Sequence, residues 1–407
     1  MDIDEYEVRE DLVATFLQPS LITYHLPELH KRLEANPVSM VLIAAVTGDQ
    51  LARKALLGFP SDSIASALES LDQAQIIHKK DGQKPANDMP SRWSDWGEPS
   101  WFFHLSTKDA NYERTAEGQL LIAEEINEQP PPAQYVCHCD GPERVQLPRA
   151  SRAPSPRLWD VLMTRRTCRN FSDSHVSIPQ LANLLYYTGG TLFDTETDSF
   201  GHVRMKCAPS PGARHVTELY PVIRNVEGLE CGIYHYCSQH HALALLEKYC
   251  LKDLDAFLAD ALNEQPYFTN AALAVFMSAS LPRIMWKYRS GRVYRLIHYE
   301  IGHYAQNFLL AATALGLGAF VTGAISDSVV ESAIHADGID EIAMYAVGAG
   351  IQDEGGPYFR EAWWPSPALP DGANVQFPGA LSDLGQTSID RGYPGLSPEP
   401  GRAANIS

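Results

Sequence analysis

Residues 292–315 hold the segment that most limits what this chain can become. Their alanine- and leucine-rich pattern predicts one helix of about 24 residues. Arg295, His298, Glu300, His303, Gln306 and Asn307 interrupt its apolar character. Such a helix belongs inside a folded protein rather than a bilayer. No stretch of 18 or more uncharged apolar residues occurs elsewhere, so no transmembrane helix is expected. The acidic start, Met1-Asp2-Ile3-Asp4-Glu5, lacks the basic and apolar regions of a signal peptide, and a cytoplasmic location is the expectation.

A chain of 407 residues is long for one domain and comfortable for two. Fifty acidic against 32 basic residues leave a net charge of −18, which repels a phosphate backbone and disfavours nucleic-acid binding. Seven irregularly spaced cysteines without a secretion signal point to reduced thiols.

Residues 1–105 read as a separate module. Residues 11–26 are rich in β-branched and aromatic side chains and predict strands. Residues 30–46 carry apolar positions at helical spacing, and further helices are expected over 49–57 and 61–71, with Ser61 as the N-cap of the last. A strand over 75–79 ends the module. Short helices followed by a strand form a winged-helix-like pattern, but the segment has too few basic residues for a groove reader. Trp93, Trp96, Trp101, Phe102, Phe103 and His104 form an aromatic cluster, expected to be buried against the next domain. Residues 106–154 are read as a linker that includes Pro130-Pro131-Pro132. Residues 155–350 have the composition of a mixed helix-and-strand core, with helices over 156–164, 179–187 and 292–315 and strands over 220–223, 232–236, 272–278 and 343–348. Residues 351–407 form a Gly/Pro-rich arm without a sustained period, and no internal repeat is found.

Four segments in the core can carry chemistry. Arg165-Arg166-Thr167-x-Arg169 places three guanidiniums and a hydroxyl within five residues. Guanidinium forks suit phosphate, although a solvated basic turn would look the same. Pro209-Ser210-Pro211-Gly212-Ala213-Arg214-His215 is a tight loop with accessible N–H groups, able to cradle a flat polar ring or a phosphate, or to be a plain turn. Lys287-Tyr288 sets an ammonium beside a phenol, which favours the phenolate and makes a candidate general base. Residues 315–324 (Leu-Gly-Leu-Gly-Ala-Phe-Val-Thr-Gly-Ala) read as a helix end, a strand and a glycine turn, without a dinucleotide fingerprint.

Other patterns fail. His298-x-Glu300-x-x-His303 lacks the spacing of a zinc-protease helix, and Glu300-x-x-His303 has no second copy to build a di-iron site. Cys137-His138-Cys139 with Cys231 and Cys237 has poor zinc spacing, and no metal is expected. A Walker A motif, a G-x-S-x-G elbow and a paired-carboxylate signature are also absent.

Taken in order, these segments resemble the nitroreductase-like flavoenzyme superfamily. They are closest to its SagB-type branch, the thiazoline/oxazoline dehydrogenases of ribosomal peptide biosynthesis, which include the microcin and cyanobactin oxidases. The likeness covers residues 159–350 and rests on four ordered motifs: residues 165–171, residues 209–215, Lys287-Tyr288 with Arg292-Val293-Tyr294-Arg295, and Gly302-His303-x-x-Gln306-Asn307 running on to Leu315-Gly316-Leu317-Gly318. Thr167 stands where the family usually has serine and keeps the hydroxyl. The resemblance implies an α+β fold, a mostly antiparallel sheet flanked by helices. It implies FMN as cofactor and a homodimer with its two flavin sites at the subunit interface and residues 292–315 as the dimer core. Arg165, Arg166, Thr167 and Arg169 would hold the phosphate and ribityl end. Pro209, Ser210, Pro211, Gly212 and Ala213 would line the ring, and Gly323 and Ala324 would approach N5. The implied reaction removes two hydrogens from an azoline, a proton to Tyr288 assisted by Lys287 and a hydride to flavin. The implied substrate is an azoline-containing precursor peptide. The N-terminal module would bind it by strand addition or dock on a cyclodehydratase. An NAD(P)H-dependent reductase of a small molecule would use the same cofactor contacts.

Overall fold

A computed structural model describes residues 3–353, apart from 10–11, 19–20, 27–30, 81–92, 94, 111–112, 114, 140–143, 153–154 and 198–200. The C-terminal arm beyond Asp353 lies outside the described residues.

In chain order the strands and helices are β1 Tyr6–Val8, β2 Val13–Gln18, β3 Leu21–Leu26, β4 Lys31–Ala35, α1 Val38–Val46, α2 Gln50–Leu56, α3 Ser61–Gln73 and β5 Ile77–Lys79. There follow α4 Gly97–Ser106, α5 Ala116–Asn127, β6 Arg144–Gln146, α6 Leu158–Thr164, α7 Ile178–Gly189, β7 Thr191–Thr197, β8 Gly201–Lys206, β9 Thr217–Ile223, β10 Gly232–Cys237 and β11 Ala242–Lys248. The remainder are α8 Leu251–Ala261, β12 Leu273–Ser280, α9 Leu281–Lys287, α10 Val293–Ala314, β13 Gly318–Thr322, α11 Asp327–Ile334 and β14 Glu341–Gly350.

The core is a seven-stranded sheet in the order β13-β14-β12-β9-β10-β11-β6, with every neighbouring pair antiparallel. Both faces are covered, which is why β12 reads as a continuous apolar run. Its pleat sends Leu273, Val275, Met277 and Ala279 to one side and Ala274 and Phe276 to the other. On the first side lie α7, through Leu181, Leu184 and Leu185, and α10, through Ile297, Ile301, Tyr304, Phe308 and Ala312. Those α10 positions recur every three or four residues, one stripe of a helix. On the second side lie α8, through Leu254 and Leu258, and α11, through Val330 and Ile334. Each fully buried aliphatic or aromatic side chain contributes roughly 1.5–3 kcal/mol.

The N-terminal part has its own core, built on Tyr6, Ile22, Tyr24, Leu42, Leu68 and Ile77. Here the structure corrects the sequence reading. Residues 30–46 are not one helix: Lys31–Ala35 is a strand paired with β3, and α1 starts only at Val38 after Asn36-Pro37. Proline disfavours helix in the residue before it, which places the boundary there. Ser61 is the first helical residue rather than the cap, and Pro60 holds the cap position without a side-chain bond. The helices α1–α3 do lead into β5, which pairs with β1. The aromatic cluster is only partly covered: Trp96 is exposed, while Phe103 meets Tyr294 edge-on and lies under Arg295 of α10.

Candidate functional site

The loop between β8 and β9 is held in a strained form. Gly212, Ala213 and His215 have φ of +60°, +52° and +47°, a left-handed region that costs non-glycine residues free energy. Its neighbours impose that shape. The His215 N–H donates to Ser210 Oγ at 2.7 Å, and Ser210 in turn contacts the Glu300 carboxyl. Glu300 Oε1 also accepts from the N–H and hydroxyl of Thr217, each at 3.1 Å. Arg283 of α9 donates to the His215 carbonyl at 2.9 Å. One helix therefore clamps the loop from each side. Glu300 is fully buried, and burial raises its pKa above the usual carboxyl range.

Lys287 ends α9 and Tyr288 caps it. A β-carbon on Gly212 would lie 2.6 Å from Tyr288 Oη and 2.9 Å from Lys287 Nζ. Glycine suits this position twice, by its φ and by the approach of these side chains. Burial, then the charge of Arg214, brings Lys287 down to about 8. The buried Arg214 guanidinium lies 5.1 Å from the Trp286 ring, and its Nη2 has no hydrogen-bond partner among the described residues. His215, brought to about 3 by burial and the nearby Lys206, is neutral, with Nδ1 3.2 Å from Tyr304 Oη.

The arginine turn lies elsewhere. Thr167 forms a parallel bridge with Ala319 at the start of β13, and the Cys168 N–H donates to Ala319 O at 2.8 Å. Arg166 and Arg169 are exposed and Arg165 half-buried. Arg166 Nη1 donates to the carbonyls of Met163 and Arg165, at 2.9 and 2.7 Å, and Arg169 faces the Tyr267 ring at 5.8 Å. Among the described residues none of the three forms an ion pair with a carboxylate. Gly323 and Ala324 follow β13 and are exposed; the Ala324 N–H already donates to Thr322 Oγ1 at 3.1 Å. The register places Thr322 opposite Ala346, level with Phe276 and Tyr220. The structure therefore joins Gly212, Lys287 and Tyr288. It keeps the arginine turn and Gly323-Ala324 with β13, separated from β9 by β14 and β12.

Arg214, Trp286, Arg283 and Glu300 were not assigned to the site from sequence. Glu300 had a signal, a carboxylate on the apolar stripe of a long helix. Arg283 had none, since its partners are distant in the chain. The thiols grouped together in the sequence divide in the structure. Cys231 does not join Cys237: its thiol donates to the Arg224 carbonyl, whereas Cys137, Cys237 and His240 converge.

An antiparallel sheet crossed by a long helix, with a strained cationic loop at one end, defines a nitroreductase-type α+β protein. The nitroreductase family model matches residues 162–351. A Methanocaldococcus jannaschii protein described as a nitroreductase is 32% identical over 184 residues, covering 45% of this chain and 85% of that one. The trifolitoxin-processing protein TfxB of Rhizobium leguminosarum bv. trifolii is 32% identical over 176 residues, 42% of this chain and 47% of that one, so the match spans about half of TfxB. The E. coli microcin synthetase McbBCD complex with truncated pro-MccB17 bound gives a TM-score of 0.40 at 20% identity, covering 60% of this chain and 85% of that one. The chain belongs to the nitroreductase family, a superfamily of FMN-dependent oxidoreductases. Among the described residues, no helix is long and apolar enough to cross a membrane.

Proposed function

We propose that this chain is an FMN-dependent dehydrogenase that converts thiazolines or oxazolines of a ribosomally made peptide into thiazoles or oxazoles. The observation that carries this reading is the meeting of Tyr288 Oη and Lys287 Nζ over Gly212, beside the buried Arg214. Two flanking cations favour the phenolate of Tyr288, and the phenolate can take a proton from carbon, becoming a neutral phenol.

The residues present suit FMN. Arg165, Arg166 and Arg169 have no carboxylate partners among the described residues, Arg214 Nη2 is unsatisfied, and Gly212 leaves a cradle that a β-carbon would fill. Arg165, Arg166, Thr167 and Arg169 would hold the phosphate and ribityl end, with Pro209 to Ala213, Gly323 and Ala324 at the ring. When bound, FMN supplies the acceptor for the second hydrogen. Tyr288 holds the first as a proton on Oη, and Lys287 with Arg214 balances the charge.

The two halves of the site lie apart in one chain, which favours a homodimer that completes each site across its interface. Exposed Leu158, Trp159, Leu162 and Met163 of α6 offer apolar surface for it. The likeness to a trifolitoxin-processing protein favours a biosynthetic substrate. Residues 1–105 would recognise the precursor peptide or a cyclodehydratase.

The test is spectroscopic. Purified protein should carry a flavin spectrum that an azoline peptide bleaches without nicotinamide in the absence of oxygen. Bleaching by NAD(P)H alone would instead establish a small-molecule reductase, the reading favoured by the match to most of the M. jannaschii protein.

A further inference from the structure

Between α5 and β6 the connector has no helix or strand over its described residues, yet it is tied to the core at several points. Trp286 Nε1 donates to the Gln129 carbonyl at 3.0 Å, Arg283 Nε to the Ala133 carbonyl at 2.9 Å, and the Val136 N–H to Glu218 Oε1 at 3.2 Å. Just beyond these ties comes Cys137-His138-Cys139.

The connector meets the β10–β11 hairpin there. Strand β10 ends on Cys237, and the turn Ser238-Gln239-His240-His241 leads into β11, so the hairpin presents Cys-x-x-His. The sulfurs of Cys137 and Cys237 are 3.4 Å apart, and both lie within 4.8 Å of a ligating nitrogen of His240. Cys139 is buried in the same small cluster, with its thiol in hydrogen-bond contact with Cys137 and Cys237. Cys237 also accepts backbone N–H bonds from Gln239 and His240.

We propose that Cys137, Cys139, Cys237 and His240 form a structural zinc site that fastens the connector to the β10–β11 hairpin. Zinc with Zn–S bonds of about 2.3 Å sets tetrahedral ligand atoms about 3.8 Å apart, near the present spacing of the Cys137, Cys237 and His240 ligand atoms, and Cys139 Sγ would move in to complete the set. Three thiols and an imidazole close the coordination shell, so the site stabilises and takes no part in catalysis. A disulfide between Cys137 and Cys237 would need the sulfurs to close to about 2.05 Å and would leave Cys139 and His240 without a role. The crosslink would hold the segment that lies against Glu218 and Arg283, which in turn position the loop at His215.

The test is metal analysis of the untagged full-length protein, expressed with zinc and purified without chelator. About one zinc per chain is expected. Cys237→Ser should lose it, while Cys231→Ser should keep it. His240 is exposed, so His240→Ala tests the site with little risk to folding, and it should lose zinc to a chelator about tenfold faster or more. Cobalt reconstitution should give thiolate charge-transfer and tetrahedral d–d bands. Metal-free protein that takes up neither zinc nor cobalt after thiol reduction would overturn the proposal. So would zinc retained in Cys237→Ser, or a mass showing a Cys137–Cys237 disulfide.

Discussion

Arg283 and Glu218 form a buried ion pair, 2.5 Å between Nη2 and Oε1, with each side chain 3% exposed. The pair joins three pieces of chain. Glu218 also accepts from His235 Nε2 at 3.1 Å and from the Val136 N–H, while Arg283 reaches the carbonyls of Ala133 and His215. Breaking a buried pair leaves one charge without compensation. Arg283→Met should therefore cost about 3–5 kcal/mol in denaturant unfolding of the flavin-loaded protein. A loss under about 1 kcal/mol would show that the pair does not hold the site together.

The same pair sets an acid limit. Burial alone would raise Glu218, but Arg283, the His235 hydrogen bond and Lys206 outweigh it and hold the carboxyl at about 2. A depressed carboxyl stabilises the fold fully above its unfolded value, near 4.3, and that contribution is lost as pH falls through about 2. Unfolding midpoints followed from pH 5 downward should fall less steeply in Glu218→Gln than in the parent.

Gly212→Ala adds a left-handed penalty of about 1–2 kcal/mol. The atoms it would strike are the ends of the Lys287 and Tyr288 side chains, which can move. Turnover should therefore suffer more than stability, by about tenfold or more, with FMN retained. Unchanged turnover with a normal flavin spectrum would place the reacting atoms away from this loop.

Tyr288→Phe removes the proposed proton acceptor while keeping the ring. FMN should stay bound, and azoline oxidation should fall about 10²–10⁴-fold. Full activity would remove Tyr288 from the base role.

Lys287, brought to about 8 by burial and Arg214, loses its charge as pH rises through that value. Turnover should decline above about pH 8, and Lys287→Met should lack that limb. The stability effect has the opposite sign. The unfolded chain binds the extra proton between about pH 8 and 10.5, so this group's contribution to stability rises with pH across that window. A parent pH profile that Lys287→Met reproduces would acquit the ammonium.

Arg166→Ala removes a guanidinium proposed to bind phosphate. Losing a charged hydrogen bond costs about 1.5–3 kcal/mol, or about 10–100-fold in FMN affinity. Unchanged affinity on titrating the apoprotein would reassign the arginine turn.

The legible parts of the fold were those whose periodicity is strong. The helix expected over 292–315 is Val293–Ala314, and the apolar run at 272–278 is the central strand Leu273–Ser280. The hairpin of β7 and β8 went unread because β7 is mostly exposed and polar, with no alternation to mark it. Residues 30–46 misled because apolar spacing continued across a proline boundary.

What the sequence determined by itself was local: helix and strand periods, the proline-glycine loop, the adjacent Lys287 and Tyr288, and the clustered arginines. Hydrophobic period and turn chemistry are properties of neighbours in the chain, so they survive without coordinates. Tertiary structure alone decided that Gly212 lies against Tyr288, that Glu300 and Arg283 hold the loop in a strained form, and that Cys237 turns toward Cys137 and His240 rather than Cys231. Those pairings join residues about 70 to 100 positions apart except within the hairpin. They are set by strand register and by the need to satisfy buried charge, neither of which leaves a mark in any short stretch of sequence.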